Sequence, residues 1–245
     1  MIHPLLHLPH GGHRLLVLGT PVLLDAAGRT LRAVTAQPKR LVLLAFLVHA
    51  GRPVARRTLL RWFWPHLTEA RGRNALNQAL HFLRHKLGDV FHRHGRVAVE
   101  VPSSVIAYDV GALREAAAAR SPAALDLYRG LFLEGLPVTG SNHLQTWVDS
   151  ERAGLAGLAR DTAVSAALEA EARGELSRSL EFAARAAAIA PLDEVAATLH
   201  VRLLASAGHP TDALREAERF RLRLLSEVEM HPSPTFGRLV EEIRS

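Results

Sequence analysis

The chain has 245 residues and a net charge of +6, with 48% hydrophobic residues, enough for one large or two ordinary folded domains. It has no cysteine, which excludes disulfides, thiolate metal sites and cysteine nucleophiles and suits a reducing compartment. Its longest apolar run, Leu41 to Val48, is far short of the ~20 residues of a membrane-spanning helix, so no membrane partner is expected. The charge is unevenly divided. Residues 1–110 hold 15 Lys+Arg against 5 Asp+Glu, a net +10, whereas residues 111–245 hold 15 against 19, a net −4. A polyanionic partner is therefore sought in the first half.

Residues 1–12 have neither a basic n-region nor a small-residue cleavage site and read as a flexible tail. The apolar run RLLVL (14–18) is a strand candidate. Val22 to Leu24 is expected to pair back on it. A turn over Asp25 to Gly28 then leads to a third strand at Leu31 to Val34, making a small antiparallel sheet. A helix is expected over 38–50, with Pro38 in its first turn, an apolar face of Leu41, Leu44, Ala45 and Val48, and Gly51 as its C-terminal cap. A second helix runs over 55–64 and ends before Pro65.

The third helix, 69–87, is the informative one. Leu76, Leu80, Leu83 and Leu87 are spaced 4, 3 and 4 apart and form a narrow core-facing seam. Asn74, Gln78, His81 and His85 repeat that spacing. At about 100° per residue they lie opposite the leucines. Asn77 and Arg84 flank this polar face, and Arg71 and Arg73 sit at its amino end. Such a helix docks by one face and offers base-pairing side chains on the other: Asn and Gln to adenine, Arg to guanine, with nearby arginines on phosphate. The alternative at this level is an ordinary solvated helix face. A hairpin follows, in which Phe91 leads into Arg93-His94-Gly95-Arg96 and Val97, Val99 and Val101 alternate with Ala98 and Glu100. A second strand is expected to continue through Val105 to Tyr108. A basic hairpin tip after such a helix reads as a wing, with Arg93, His94 and Arg96 at the backbone or in a narrow minor groove.

From Val110 onward the chain is rich in alanine and leucine. Helices are expected at about 110–119, 121–129, 141–172, 175–189, 192–207, 210–226 and 233–244, with an irregular connection over 130–142. Gly174 and Gly208, Leu180 and Leu214, and Ala183 and Ala217 are each 34 residues apart, the tetratricopeptide period, and Pro191 falls where such a repeat ends its second helix. A protein-contact surface is the functional reading, and a plain helical bundle is the alternative.

The run GRPVARRTLLRWFWPHLTEARGRNALNQALHFLRHKLG (51–88) resembles the winged helix of the streptomycete antibiotic regulatory protein family. LYRGLFLEGLP (127–137), WVDSER (147–152), APLDE (190–194) and HPSPTFGRL (231–239) resemble the bacterial transcriptional activator domain that follows it there. The resemblance covers roughly 14–245. It implies a mostly α fold with a small N-terminal β-sheet and a wing hairpin. An OmpR-like winged helix (13–108) would precede an all-α, tetratricopeptide-like activator domain (109–245). It also implies activation of promoters through the RNA polymerase holoenzyme, binding to direct repeats in double-stranded DNA near the −35 element, and a pair or homodimer on DNA. The third helix then reads the major groove through Arg73, Asn74, Asn77, Gln78, His81 and Arg84. The loop Pro65 to Gly72, with Pro65, His66, Leu67, Thr68 and Glu69, corresponds to the family's transactivation loop.

No catalytic constellation or cofactor loop is found: the sequence has no GxxxxGK[ST] and no GxGxxG, and neither Ser103-Ser104 nor Ser141 has a defensible His/Asp partner. His81 and His85 stand at i,i+4, but the sequence between them is HFLRH, without a glutamate or a third ligand, so no zinc site is read there. His92 and His94 are expected at the surface, and His3, His7, His10 and His13 in the tail. Trp62, Trp64 and Trp147 are expected as core anchors. The leading reading is a cytoplasmic, sequence-specific DNA-binding activator. The alternative is a protein-interaction adaptor that uses the helical repeats, and an enzyme is the third and weakest.

Overall fold

The computed structural model describes residues 12–245; of the tail expected over 1–12, residues 1–11 lie outside the described residues, and His13, expected with the tail, instead opens the first strand and is partly buried. β1 (His13–Leu16) runs antiparallel to β2 (Val22–Leu24), with Leu16 opposite Val22. The strand expected at Leu31 to Val34 is instead a helical turn, α1 (Arg32–Thr35), and Thr30 makes only a single bridge to Leu24. The carbonyl of Leu31 accepts from the N–H groups of Val34 and Thr35, so the chain coils, and Val34 is buried. The third strand of this sheet arrives from much later in the chain: β6 (Ile106–Tyr108) lies parallel to β1, with His13 opposite Ile106. The sheet is mixed, in the order β2-β1-β6.

α2 (Pro38–Ala50) buries every residue from Leu41 to Val48, so it is the central helix of its unit and not a one-faced amphipathic one. Each large side chain buried here contributes about 1.5–3 kcal/mol. Gly51 caps α2 in the left-handed conformation at φ 56°, as its position predicts. β3 (Val54–Ala55), α3 (Arg56–Phe63) and α4 (Glu69–Leu87) follow, then β4 (His92–His94) and β5 (Ala98–Glu100). The second sheet has the order β3-β5-β4. The hairpin's second strand stops at Glu100 and does not run on to Tyr108. Pro102 brings no N–H to a ladder, and its carbonyl accepts from Val105 N at 3.1 Å in a turn that sends β6 to the other sheet.

Beyond the sheets lie α5 (Asp109–Ala118) and α6 (Ala124–Leu127), the latter shorter than the 121–129 expected. α7 (Asn142–Ala172) is a 31-residue helix. The chain packs as two units, the first ending at Glu115 and resuming over Asp126–Leu155, the second made of Ala116–Leu125 and Ala156–Ser245. The 127–137 motif belongs to the first. Leu133 N donates to Val17 O at 2.8 Å, Gly19 N donates to Leu131 O at 3.0 Å, and Leu18 bridges to Phe132. A Cβ on Gly130 would come within 3.0 Å of the Gly19 Cα, so the close approach of these two backbones requires glycine at 130, while Gly19 is required by its own φ of 97°. Phe132 and Phe46 both pack edge-on to Trp147, at centroid distances of 5.5 and 5.0 Å. Trp62, Trp64 and Trp147 all lie partly buried, none of them fully inside.

In the second unit, α8 (Leu176–Ile189), α9 (Glu194–Ser206), α10 (Pro210–Val228) and α11 (Pro234–Arg244) stack after the distal part of α7. The 34-residue echo is real in space. Gly174 and Gly208 break α7 from α8 and α9 from α10, both at positive φ (72° and 81°), and Ala183 and Ala217 are both buried. α8 ends two residues before Pro191. Asp193 caps α9 by accepting from Ala196 N at 2.8 Å, and Ser233 caps α11 by accepting from Phe236 N at 3.2 Å. The Glu194 carboxylate in turn accepts from both the N–H and the hydroxyl of Ser233. Those contacts explain why APLDE and HPSP stand where they do.

Candidate nucleic-acid interface

α4 is built as the sequence predicts. Leu76, Leu80, Leu83 and Leu87 are all buried, joined by Gly72 and Ala79. Gly72 faces α3: a Cβ there would lie 3.4 Å from a Leu60 methyl. On the opposite side Arg71, Arg73, Asn74, Asn77, Gln78, His81 and His85 are exposed, and Arg84 is partly covered. The helix thus presents a row of amides, imidazoles and guanidinium groups to solvent.

Three side chains of this face are engaged within the unit. Arg73 pairs with Glu69 one turn back. Arg84 approaches Asp89 at 3.7 Å. Asn77 Oδ1 accepts a hydrogen bond from the Arg56 guanidinium at the start of α3. Arg40, from α2, lies over the Phe82 ring at 4.1 Å and covers the flank of α4.

The wing pairs His92 with Glu100, Arg93 with Val99 and His94 with Ala98. Gly95 turns the tip at φ 59°. Arg96 and Val97 are exposed there, and His94 Nε2 stands 2.6 Å from Glu100 Oε2. Arg93 holds the middle of β4, and its side chain lies outside what the structure describes. His92 and His94 are exposed, as expected. Between α3 and α4, Pro65, His66, Leu67, Thr68 and Glu69 are all exposed. All of these but His66 line a cleft of about 460 Å³ whose walls include Arg57, Leu60, Arg61 and Trp64.

Sequence reasoning missed two features. The first is Arg56, whose side chain meets the reading face while its backbone N–H donates to Val97 O at 2.8 Å. A lone arginine at a helix start gives no local sign of this. The second is Asp109, 1% exposed, which accepts from Val17 N and Leu18 N and faces Arg129 at 3.3 Å. Burial pushes its carboxyl up to about 6, against the pull of the two N–H groups and Arg129. Nearby, His49 Nε2 lies 3.2 Å from Glu151, which also holds Arg114 at 2.9 Å. Burial keeps the His49 imidazole below the usual histidine range, with Glu151 opposing and Arg114 reinforcing.

A helix-turn-helix with a β-wing, followed by stacked helix pairs, is the architecture of a two-part transcription regulator. The family profile described as the bacterial transcriptional activator domain matches residues 106–244, and the chain belongs to that family of transcriptional activators. This agrees with the resemblance seen in sequence. The fold is also that of Mycobacterium tuberculosis EmbR, solved in complex with a low affinity phosphopeptide: TM-score 0.67 at 21% identity, over 96% of this chain and 65% of that one. The chain therefore spans about two thirds of the length of that relative. No curated protein matches it by sequence. Among the described residues no helix is long and apolar enough to cross a membrane.

Proposed function

We propose that the chain is a sequence-specific DNA-binding activator of transcription. The observation that carries this reading is the two-faced α4: a buried leucine seam on one side and exposed Asn74, Asn77, Gln78 and His81 on the other, flanked by Arg71 and Arg73. A helix of this build fits the major groove, where amide side chains pair with adenine and guanidinium groups with guanine or phosphate. The wing, with Arg93, His94 and Arg96, supplies sequence-independent contacts beside it. The winged helix is assigned to 13–108 and the activator domain to 109–245. Pro65 to Glu69 form the surface that contacts RNA polymerase. The protein works in the cytoplasm and binds direct repeats as a pair or homodimer.

The test is retention of fragmented genomic DNA by purified protein at two salt concentrations, with sequencing of what stays bound. Enrichment of a few promoters carrying spaced direct repeats, with affinity falling steeply as salt rises, is the expected result. No retention at low salt overturns the reading.

A second reading, an adaptor working through its helical repeats, is favoured by a cleft of about 420 Å³ among α8, α9 and α10, where Ala184, Ala187 and Ala197 face Arg219 and Arg223. That reading predicts no footprint on any DNA and capture of a protein partner by residues 156–245 within the full chain.

A further inference from the structure

We infer that Arg56 is a positioning residue for base selection: its guanidinium holds the Asn77 carboxamide so that the amide nitrogen faces outward as a donor. This rests on the DNA-reading function proposed above. Arg56 is the first residue of α3, and its position is set from two directions. Its backbone N–H donates to Val97 O, immediately before β5. The strand before it, β3, pairs Val54 with Val99 and Ala55 with Ala98. Arg56 is thus anchored to the wing sheet by its backbone and to the reading helix by its side chain.

The chemistry follows from the donor and acceptor inventory. A guanidinium only donates, whereas a carboxamide has one accepting oxygen and one donating nitrogen. With its oxygen turned to Arg56, Asn77 presents its nitrogen to an incoming duplex. An amide rotor that is free in solution samples both orientations and discriminates less, whereas one held in a single orientation meets the base edge prepared. Donation to an acceptor such as purine N7 or thymine O4 is the contact this geometry favours. The planar fork matters, because lysine keeps the charge but loses the fixed donor geometry.

The experiment compares wild type, Arg56→Ala, Arg56→Lys, Asn77→Ala and the Arg56→Ala/Asn77→Ala pair by selection from a randomised duplex library, with binding curves at two salt concentrations. Arg56→Ala is expected to lose about tenfold of the preference at one base position. That position is the one Asn77→Ala also loses. The pair should show no further loss of preference, and Arg56→Lys should resemble Arg56→Ala. Thermal melting establishes that each variant folds. Should Arg56→Ala fail to fold, Arg56→Lys decides.

If Arg56 only touches phosphate, Arg56→Ala weakens all sequences alike, flattens the salt dependence by about one charge, and leaves base preference intact, while Arg56→Lys behaves as wild type. That result overturns the inference and leaves the DNA-binding function standing. A wild-type protein that selects no sequence overturns both, before any variant is made.

Discussion

The Asp109 carboxylate reaches back 92 residues to accept the N–H of Val17 at 2.8 Å, and it accepts from Leu18 at 3.0 Å as well. It stands at the first residue of α5, directly after β6, the strand that pairs with β1. One side chain therefore pins the end of β1, where the backbone leaves its ladder, to the start of the helix that follows the wing. Truncation to alanine strands two buried N–H groups and the facing Arg129, so Asp109→Ala is expected to cost about 3 kcal/mol. Urea unfolding at pH 7 measures it, and a loss under about 1 kcal/mol would remove the role assigned here.

Asp109 also sets a pH dependence. Its carboxyl is raised to about 6 in the folded chain, from an ordinary value near 3.8. A raised carboxyl binds its proton more tightly when folded, so this proton-linked increment of stability is full below about pH 4 and is lost as pH rises through 6, while the ionised carboxylate keeps its hydrogen bonds to Val17 and Leu18 at pH 7. The stability of wild type relative to Asp109→Asn should fall over that window by up to about 3 kcal/mol and then level off. A constant difference between pH 4 and 7.5 contradicts it.

His49 works in the opposite direction. Its folded imidazole is depressed, chiefly by burial. Its contribution is present above about pH 6.5 and is lost as pH falls and the proton is forced into a pocket bounded by Glu151, Arg114, Tyr108 and Trp147. His49→Gln should flatten the acid limb of the stability profile below pH 6.5, read by thermal melting at each pH. An unchanged acid limb would assign that limb to other groups.

Gly130 has no room for a side chain. A Cβ there would meet Gly19 Cα at 3.0 Å and the flexible Glu134 carboxylate closer still. Backbone on one side cannot move aside as a side-chain tip can, so Gly130→Ala should cost about 1–3 kcal/mol. The reduction in melting temperature reports it, and substitution of Glu134 alone should not rescue it.

On the DNA side, base readers and backbone contacts separate by specificity. Replacing Asn74 or Gln78 by alanine should relax preference at single positions by about 1–3 kcal/mol. Replacing Arg96 should weaken binding to all sequences alike and reduce the salt slope by about one. Equal behaviour of the two groups in a library selection would dissolve the division between reading and positioning.

The features legible in sequence are those whose signal is local. The bounds of α2 and α4 match the expected 38–50 and 69–87, because a cap, a proline or a 3.6-residue apolar period lies within a few residues of each end. The exposed face of α4 follows from the same period once its leucines are buried. The repeat follows from glycines 34 apart, since a left-handed turn between helices favours a residue without a Cβ. The strand expected at 31–34 failed because a short apolar run has no period of its own to separate a strand from a helical turn.

By itself the sequence determined the helices, the seam of α4, the basic first half and the two-part architecture, because composition and periodicity act over one or two turns of chain. Only the tertiary structure decided that β6 joins β1 in parallel, that 126–155 packs with the first unit, that Asp109 holds the end of β1, and that Arg56 holds Asn77. Each of these is a contact between groups 20 or more residues apart. Such contacts leave no periodic trace: they depend on which backbone N–H groups lose their ladder and which side chains the closing core brings within reach.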